Sequence, residues 1–368
     1  MALLASPAIA ENMRGCVTDF DPTVDYFPDK VEVEHAEHWS VEYHNSYKIV
    51  RNSDAGTSYL LYQCGTPPPE AELDQHDAVA SIPLEDVGLH YMVFIPYVEL
   101  LESRAHIAAV AGQASWIYSP CVNKMVDEGA VTMVADINDQ ALLGEINVGS
   151  DLPYFVGVGT PNAFETSFEV SEWKETSLLA IFEWLKFFSL FLNEEAKANE
   201  IFDDREGSIG CSRENANLLS TDAEEQPVVL WGTRSDYCGG WDVARSCPNY
   251  YCELADTCSA TLLTSMEGSI DSEACGRNYM TTEEFLAHGK DADIWIYAGH
   301  DGDFAGTLAK YPELLEFKSV KNDKVYDVSG QTMDAWFGVR KVEPGKLKLI
   351  VENLVCNFQV DSGSPFSI

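Results

Sequence analysis

Basic residues are scarce in this 368-residue chain: 23 Lys and Arg stand against 60 Asp and Glu, a formal net charge of -37. Phosphate recognition needs clustered Lys and Arg, so nucleic acid is excluded as a partner, and anionic lipid is disfavoured on the same ground. The charge reads first as a solubilising surface. Long apolar runs are also lacking. No stretch of ~18 uninterrupted apolar residues occurs, so no membrane span is expected. The motifs G-x-S-x-G, H-E-x-x-H, G-x-G-x-x-G and the P-loop are all missing. Cys121 and Cys211 have no recognisable His partner. No catalytic residue and no catalytic cofactor are therefore assigned, and the chain does not read as an enzyme. The cysteines lack the paired C-x-x-C spacing of a zinc site, while His35, His38 and His44 read as surface residues of a strand region, so no metal site is assigned. There is no Asn-x-Ser/Thr glycosylation acceptor either.

What the chain does have is material for two cores. Its hydrophobic share is 46%, and its length suits two domains of roughly 150 residues each. Residues 3–10, LLASPAIA, form a short apolar stretch ending in small-x-small. They read as the tail of a secretory signal, with an ordinary chain end as the alternative. Ten cysteines agree with an oxidising compartment. Cys211, Cys238, Cys247, Cys252, Cys258 and Cys275 fall in loop-like segments and suit disulfides of undetermined pairing.

The chain opens with alternating segments at 31–34, 39–43, 47–50 and 58–63, which predict a strand meander. After Pro67-Pro68-Pro69 the rhythm becomes α/β. Strands are expected at 78–82, 107–111, 131–135 and 154–158, with helices at 94–103, 121–128 and 139–145. Residues 171–203 contain no Pro or Gly and predict one helix of about 30 residues, greasy on nearly every face from Leu178 to Leu192. Such a helix must be covered on several sides. The reading adopted is a strut packed by two lobes; a core helix of one lobe is the alternative. Residues 204–226 are polar and read as a crossover. Beyond them come strands at 228–231, 293–297 and 324–328, helices at 249–263, 281–288 and 345–356, and a capping box from Thr281 to Glu284.

This order of elements resembles a known family. AVASIPLEDVGLHYMVFIPYVELLESRAHIAAVAG, then TTEEFLAHGKDADIWIY, FKSVKNDKVYDV and DAWFGVRKVEPGKLKLIVENLV are similar to substrate-binding proteins of ABC importers for vitamin B12, ferric siderophores and metals. The resemblance covers about 26–358, and the long helix is a hallmark of that class. ETSLLAIFEWLKFFSLFLNEEAKANEIFDD and VEVEHAEHWSVEYHNSYKIV look like algal cobalamin acquisition proteins. The resemblance implies an α/β fold, two-lobed and periplasmic-binding-protein-like, each lobe a sheet with flanking helices and one long helix joining them. The segments would be a signal remnant (1–10), N-terminal lobe (11–170), strut (171–203), crossover (204–226), C-terminal lobe (227–358) and tail (359–368).

It also implies a function: extracellular or cell-surface capture of cobalamin in a cleft, by a monomer that serves a membrane transporter or receptor. A ferric siderophore, haem or metal is the alternative ligand. Strand-end loops would supply the contacts: Pro83, Gln113, Trp116, Tyr118, Asn138 and Thr160 in the first lobe, then Gly232, Tyr237, Trp241, His300, Trp336 and Phe337 in the second. Trp336 holds the place of a cleft tryptophan in the B12-binding relatives, and Trp116 or Tyr118 falls near their first-lobe tyrosine. Aromatic faces suit a corrin, and few bases suit a nearly neutral ligand better than an anionic siderophore.

Overall fold

In the computed structural model the described residues are 10–112, 114, 117, 119–134, 152–157, 166–220, 226–257, 260–265, 268–272, 275, 277–297 and 303–327. The chain divides into two compact units, one of Met1–Glu175 with Leu179–Asp204 and the other of Thr176–Leu178 with Arg205–Ile368.

Two sheets build the first unit. In one, β1 (Trp39–Tyr43), β2 (Tyr47–Asn52) and β3 (Thr57–Gln63) form the expected antiparallel meander, and β4 (Ala78–Ile82) joins parallel to β3. The other is wholly parallel: β5 (Val87–Leu89), β6 (Ile107–Ala111), β7 (Thr132–Val134), β8 (Tyr154–Gly157) and β9 (Ser167–Val170), in the order β7-β6-β5-β8-β9. Helix α1 (Ile95–Leu100) links β5 to β6. Helix α2 (Pro120–Asp127) links β6 to β7, and its start is fixed by Pro120 and by Ser119 Oγ accepting from Val122 N–H.

The alternating residues 31–34 do not form a strand. Their neighbours' backbone donors are taken up by carboxylates instead of a ladder. Glu183 accepts from the N–H groups of Glu34, His35 and Ala36, and Glu175 accepts from those of Glu37 and His38. Of the donors that the period-two pattern assigned to a sheet, Val31 N–H goes to the Tyr43 hydroxyl and Glu34 N–H to Glu183.

The long helix expected over 171–203 is two helices, α3 (Leu178–Leu192) and α4 (Glu195–Ser220). They break at Asn193, whose φ of 55° is left-handed. Within the first unit α3 is a core helix. Every residue from Ala180 to Leu192 is buried. Phe191 packs on Tyr59 and Phe168 at 6.4 and 4.4 Å, Phe188 on Phe155 at 4.5 Å, and Phe187 on Trp39 at 5.8 Å. Both sheets therefore cover it, while Tyr97 of α1 donates to the Ile181 carbonyl. The polar stretch expected as a crossover is helical through Ser220.

Ionic groups enter this core only with partners. Lys186 pairs with Glu183 at 3.1 Å and donates to the Glu32 carbonyl. Lys48 and Glu195 form a fully buried ion pair. Lys48 also donates to Leu190 O and Asn193 Oδ1, while Asn12 donates to Glu195. Burial pushes the Lys48 ammonium pKa down and the Glu195 carboxyl pKa up. A disulfide, Cys16–Cys64, ties the N-terminal segment to the end of β3.

The second unit is centred on β10 (Val228–Ser235). The first residues of β10 pair in parallel with β12 (Thr261–Leu263) on one side and β15 (Ile294–Tyr297) on the other, and β16 (Val325–Asp327) extends beyond β15. Its last residues turn back into β11 (Gly240–Val243) as an antiparallel hairpin. Helix α5 (Tyr250–Thr257) precedes β12, so the helix expected over 249–263 ends early and gives way to a strand. A small ribbon of β13 (Ile270–Ser272) and β14 (Arg277–Tyr279) follows. Helix α6 (Thr282–Gly289) starts with the expected capping box: Thr281 Oγ1 accepts from Glu284 N–H and the Glu284 carboxylate from Thr281 N–H. Helices α7 (Phe304–Lys310) and α8 (Lys318–Lys321) lead to β16. Trp241, Phe285, Trp295 and Phe317 form the centre of this core. Two disulfides, Cys238–Cys275 and Cys247–Cys252, realise the expectation of cross-links in this region. The Cys211 side chain and Cys258, like the helices expected at 139–145 and 345–356, lie outside what is described.

Candidate ligand-binding site

In an open parallel sheet, ligands bind outside the carboxyl ends of the strands, where the strand order reverses. In the first unit the chain runs from β5 outward to β6 and β7, then returns to the other side of β5 as β8. The reversal falls between β5 and β8. At that edge His90 follows β5, buried, with its N–H donated to the Phe155 carbonyl at 2.9 Å. Tyr91 is half-buried and sets its ring edge-on to His90 at 4.8 Å and to Phe94 at 6.0 Å. Gly157 ends β8, and a Cβ there would lie 2.6 Å from the Tyr91 ring. A glycine is therefore required for Tyr91 to cross this strand end. After β9 comes Trp173, 51% exposed, with the Lys174 ammonium 4.3 Å over its ring.

In the second unit the order β12-β10-β15-β16 puts the reversal between β10 and β15. The β10–β11 hairpin continues beyond the last parallel pair, Trp231 with Ile296. Arg234 lies on this extension, donating to the Tyr311 hydroxyl at 2.9 Å and pairing with Asp236 at 3.3 Å. Lys310 reaches Asp236 at 2.7 Å and holds its carboxyl below the usual carboxylate range. Tyr237, at the tip, is 77% exposed.

The sequence-derived contacts divide three ways. Tyr237 is at a strand-end turn, as expected. Three others are placed elsewhere. Pro83 follows β4, a strand of the four-stranded sheet and not of the parallel five-stranded one. Gly232 is inside β10, and a Cβ on it would meet the Asp242 carbonyl at 2.9 Å and Phe285 at 3.1 Å, so its role is close packing. Trp241 is a core residue, stacked on Phe285 at 4.1 Å with its indole N–H given to Thr282. Burial on both faces leaves it nothing to offer a ligand. Gln113, Trp116, Tyr118, Asn138, Thr160, His300, Trp336 and Phe337 lie outside the described residues. The strands they follow in sequence, β6, β7, β8, β15 and β16, all end on the carboxyl edges described above. Sequence reasoning missed His90, Tyr91 and Trp173. A three-residue strand hid the first two, and an exposed Trp in the polar run SEWKET was the available signal for the third. Among the described residues no three His, Cys, Asp or Glu side chains are grouped to hold a metal ion, and no helix is long and apolar enough to cross a membrane.

No family model matches the chain. An uncharacterized protein of Methanocaldococcus jannaschii, MJ0642, is 23% identical over 309 residues, which span 78% of this chain and 82% of that protein. A periplasmic heme binding protein from Pseudomonas aeruginosa superposes with a TM-score of 0.54 at 15% identity, over 77% of this chain and 95% of its own. The siderophore binding protein BauB, bound to two molecules of acinetobactin and ferric iron, gives 0.51 at 12% identity, over 75% and 93%. The fold is thus the mixed α/β fold of the two-lobed periplasmic binding proteins.

Proposed function

We propose that this chain is an extracellular solute-binding protein, not an enzyme, that captures a metal chelate at the carboxyl ends of its parallel strands. The observation that carries the reading is the fold: it is shared over about three quarters of this chain, and nearly the full length of the others, with proteins whose ligands are haem and a ferric siderophore. Disulfides in both units agree with an oxidising compartment. Cobalamin is the finer reading. It rests on the resemblance of the 175–204 and 31–50 segments to algal cobalamin acquisition proteins and on the scarcity of bases for an anionic ligand. Haem or a ferric siderophore is the second reading, and the structural neighbours support it as much as the first. A monomer that passes its ligand to a membrane transporter or receptor completes the proposal.

All three ligand types absorb visible light, which makes the test direct. The protein is mixed with cyanocobalamin, haemin or a ferric hydroxamate and passed through gel filtration. One equivalent of chromophore should travel with the chain; if none of the three does, the reading fails. Trp336 is the proposed aromatic contact of the second lobe. Trp336→Ala should weaken binding by about 1–3 kcal/mol with an unchanged melting curve, as titrations of variant and wild type would show. Equal affinities would move the pocket away from Trp336.

A further inference from the structure

The hairpin tip of the second unit carries an observation that the binding reading does not by itself explain. Tyr237 is 77% exposed, the most exposed of the large apolar or aromatic side chains described, yet the backbone on either side of it is pinned. On one side Asp236 takes Lys310 at 2.7 Å and Arg234 at 3.3 Å. On the other, Cys238 donates its N–H to Ser235 Oγ at 3.1 Å and is joined by a disulfide to Cys275, just before β14. Gly239 closes the turn at a φ of 78°, a conformation an L side chain resists. The tip therefore has little backbone freedom to lose, while the ring it carries is largely exposed.

Position gives this a purpose. Gly232 to Ser235 run past the last parallel pair of β10 with β15, roughly 13 Å at ~3.3 Å per residue. The tip thus projects beyond the carboxyl edge of the sheet at its point of strand reversal, where α/β sheets receive ligands. An aromatic ring on a pre-ordered turn binds a flat chelate without first having to order the loop.

We propose that Tyr237 is a ligand-stacking residue and that the Cys238–Cys275 disulfide is its positioning device. This rests on the solute-binding reading above. The ring face makes the contact, and the cross-link holds the turn so that the face is presented.

The test is a double-mutant cycle with cyanocobalamin, haemin and a ferric hydroxamate as probes, using the full chain. Tyr237→Ala should weaken the probe that wild type binds by about five- to thirtyfold, and Tyr237→Phe by less than about twofold, since the face and not the hydroxyl is used. The double variant Cys238→Ser/Cys275→Ser should lose affinity to a similar degree. Combining it with Tyr237→Ala should add little, because the staple acts through the ring. A disulfide that is merely structural would lower the melting temperature and weaken binding by the same factor whether or not Tyr237 is present; that result overturns the positioning role. Binding unchanged in Tyr237→Ala overturns the stacking role and leaves the solute-binding reading standing. Wild type that binds none of the probes overturns both.

Discussion

The two units solve the problem of holding a sheet in place by different means. The first wraps two sheets around α3, a helix with no exposed face, and meets charge in that core with partners, such as Lys186 for Glu183 and backbone N–H groups for Glu175. The second has a smaller core of stacked Trp and Phe, and cross-links the hairpin and α5 that flank it with two disulfides. Apolar burial grows with the volume enclosed, so a small core gains proportionately more from covalent constraint.

The sharpest way to break this contrast is to excavate α3. Phe188 touches Phe94, Tyr97 and Phe155, and Phe188→Ala should cost about 3–5 kcal/mol in denaturant unfolding. A loss below 1 kcal/mol would mean that α3 is not the organising element of the first unit. The next largest effect belongs to the disulfides of the second unit. Cys238–Cys275 closes a 37-residue separation and Cys247–Cys252 one of 5. Loop-closure entropy then assigns ~4 kcal/mol to the first and ~2 kcal/mol to the second. Paired Cys→Ser variants, melted side by side, should keep that order; equal melting temperatures would remove the covalent half of the comparison.

The smallest effect is one of pH. His288, on α6, is partly buried, and burial lowers its imidazole pKa below the ordinary 6.5. The unfolded chain therefore binds the proton more readily than the folded one. The stability this group contributes is complete above pH 6.5 and is lost as the pH falls below it through the lowered folded pKa. Melting temperatures of wild type should decline between pH 7 and 5 more steeply than those of His288→Leu. Parallel declines would assign the acid sensitivity to the carboxylates alone.

Much of this fold was legible in the sequence, and the failures have physical causes. Strands β4 and β6 and the Thr281–Glu284 capping box fall where pattern and capping chemistry place them. The burial of α3 was legible too, since apolar residues on all sides demand cover, but periodicity does not say what provides it. In the first unit two sheets pack against it. Strand β5 escaped notice because it is three residues long with a glycine inside. Gly88 is there for Tyr154, whose ring would lie 2.2 Å from a Cβ at that position. The alternation at 31–34 misled because side chains, the Tyr43 hydroxyl for Val31 and the Glu183 carboxylate for Glu34, can satisfy a loop's donors as well as a neighbouring strand can. Of the candidate site, the loops expected to carry ligand follow strands that do end at the carboxyl edges, while Trp241 was misassigned because its indole faces inward onto Phe285.

The central claim is that this chain takes up one metal chelate reversibly and leaves it chemically unchanged. Calorimetric titration of the purified protein with cyanocobalamin, followed by recovery of the ligand and its absorption spectrum, tests it most directly. The account predicts saturation at one equivalent with cyanocobalamin recovered intact. Saturation with haemin or a ferric hydroxamate instead would move the ligand to the second reading, and no saturable uptake of any of the three, or recovery of an altered chelate, would contradict the account.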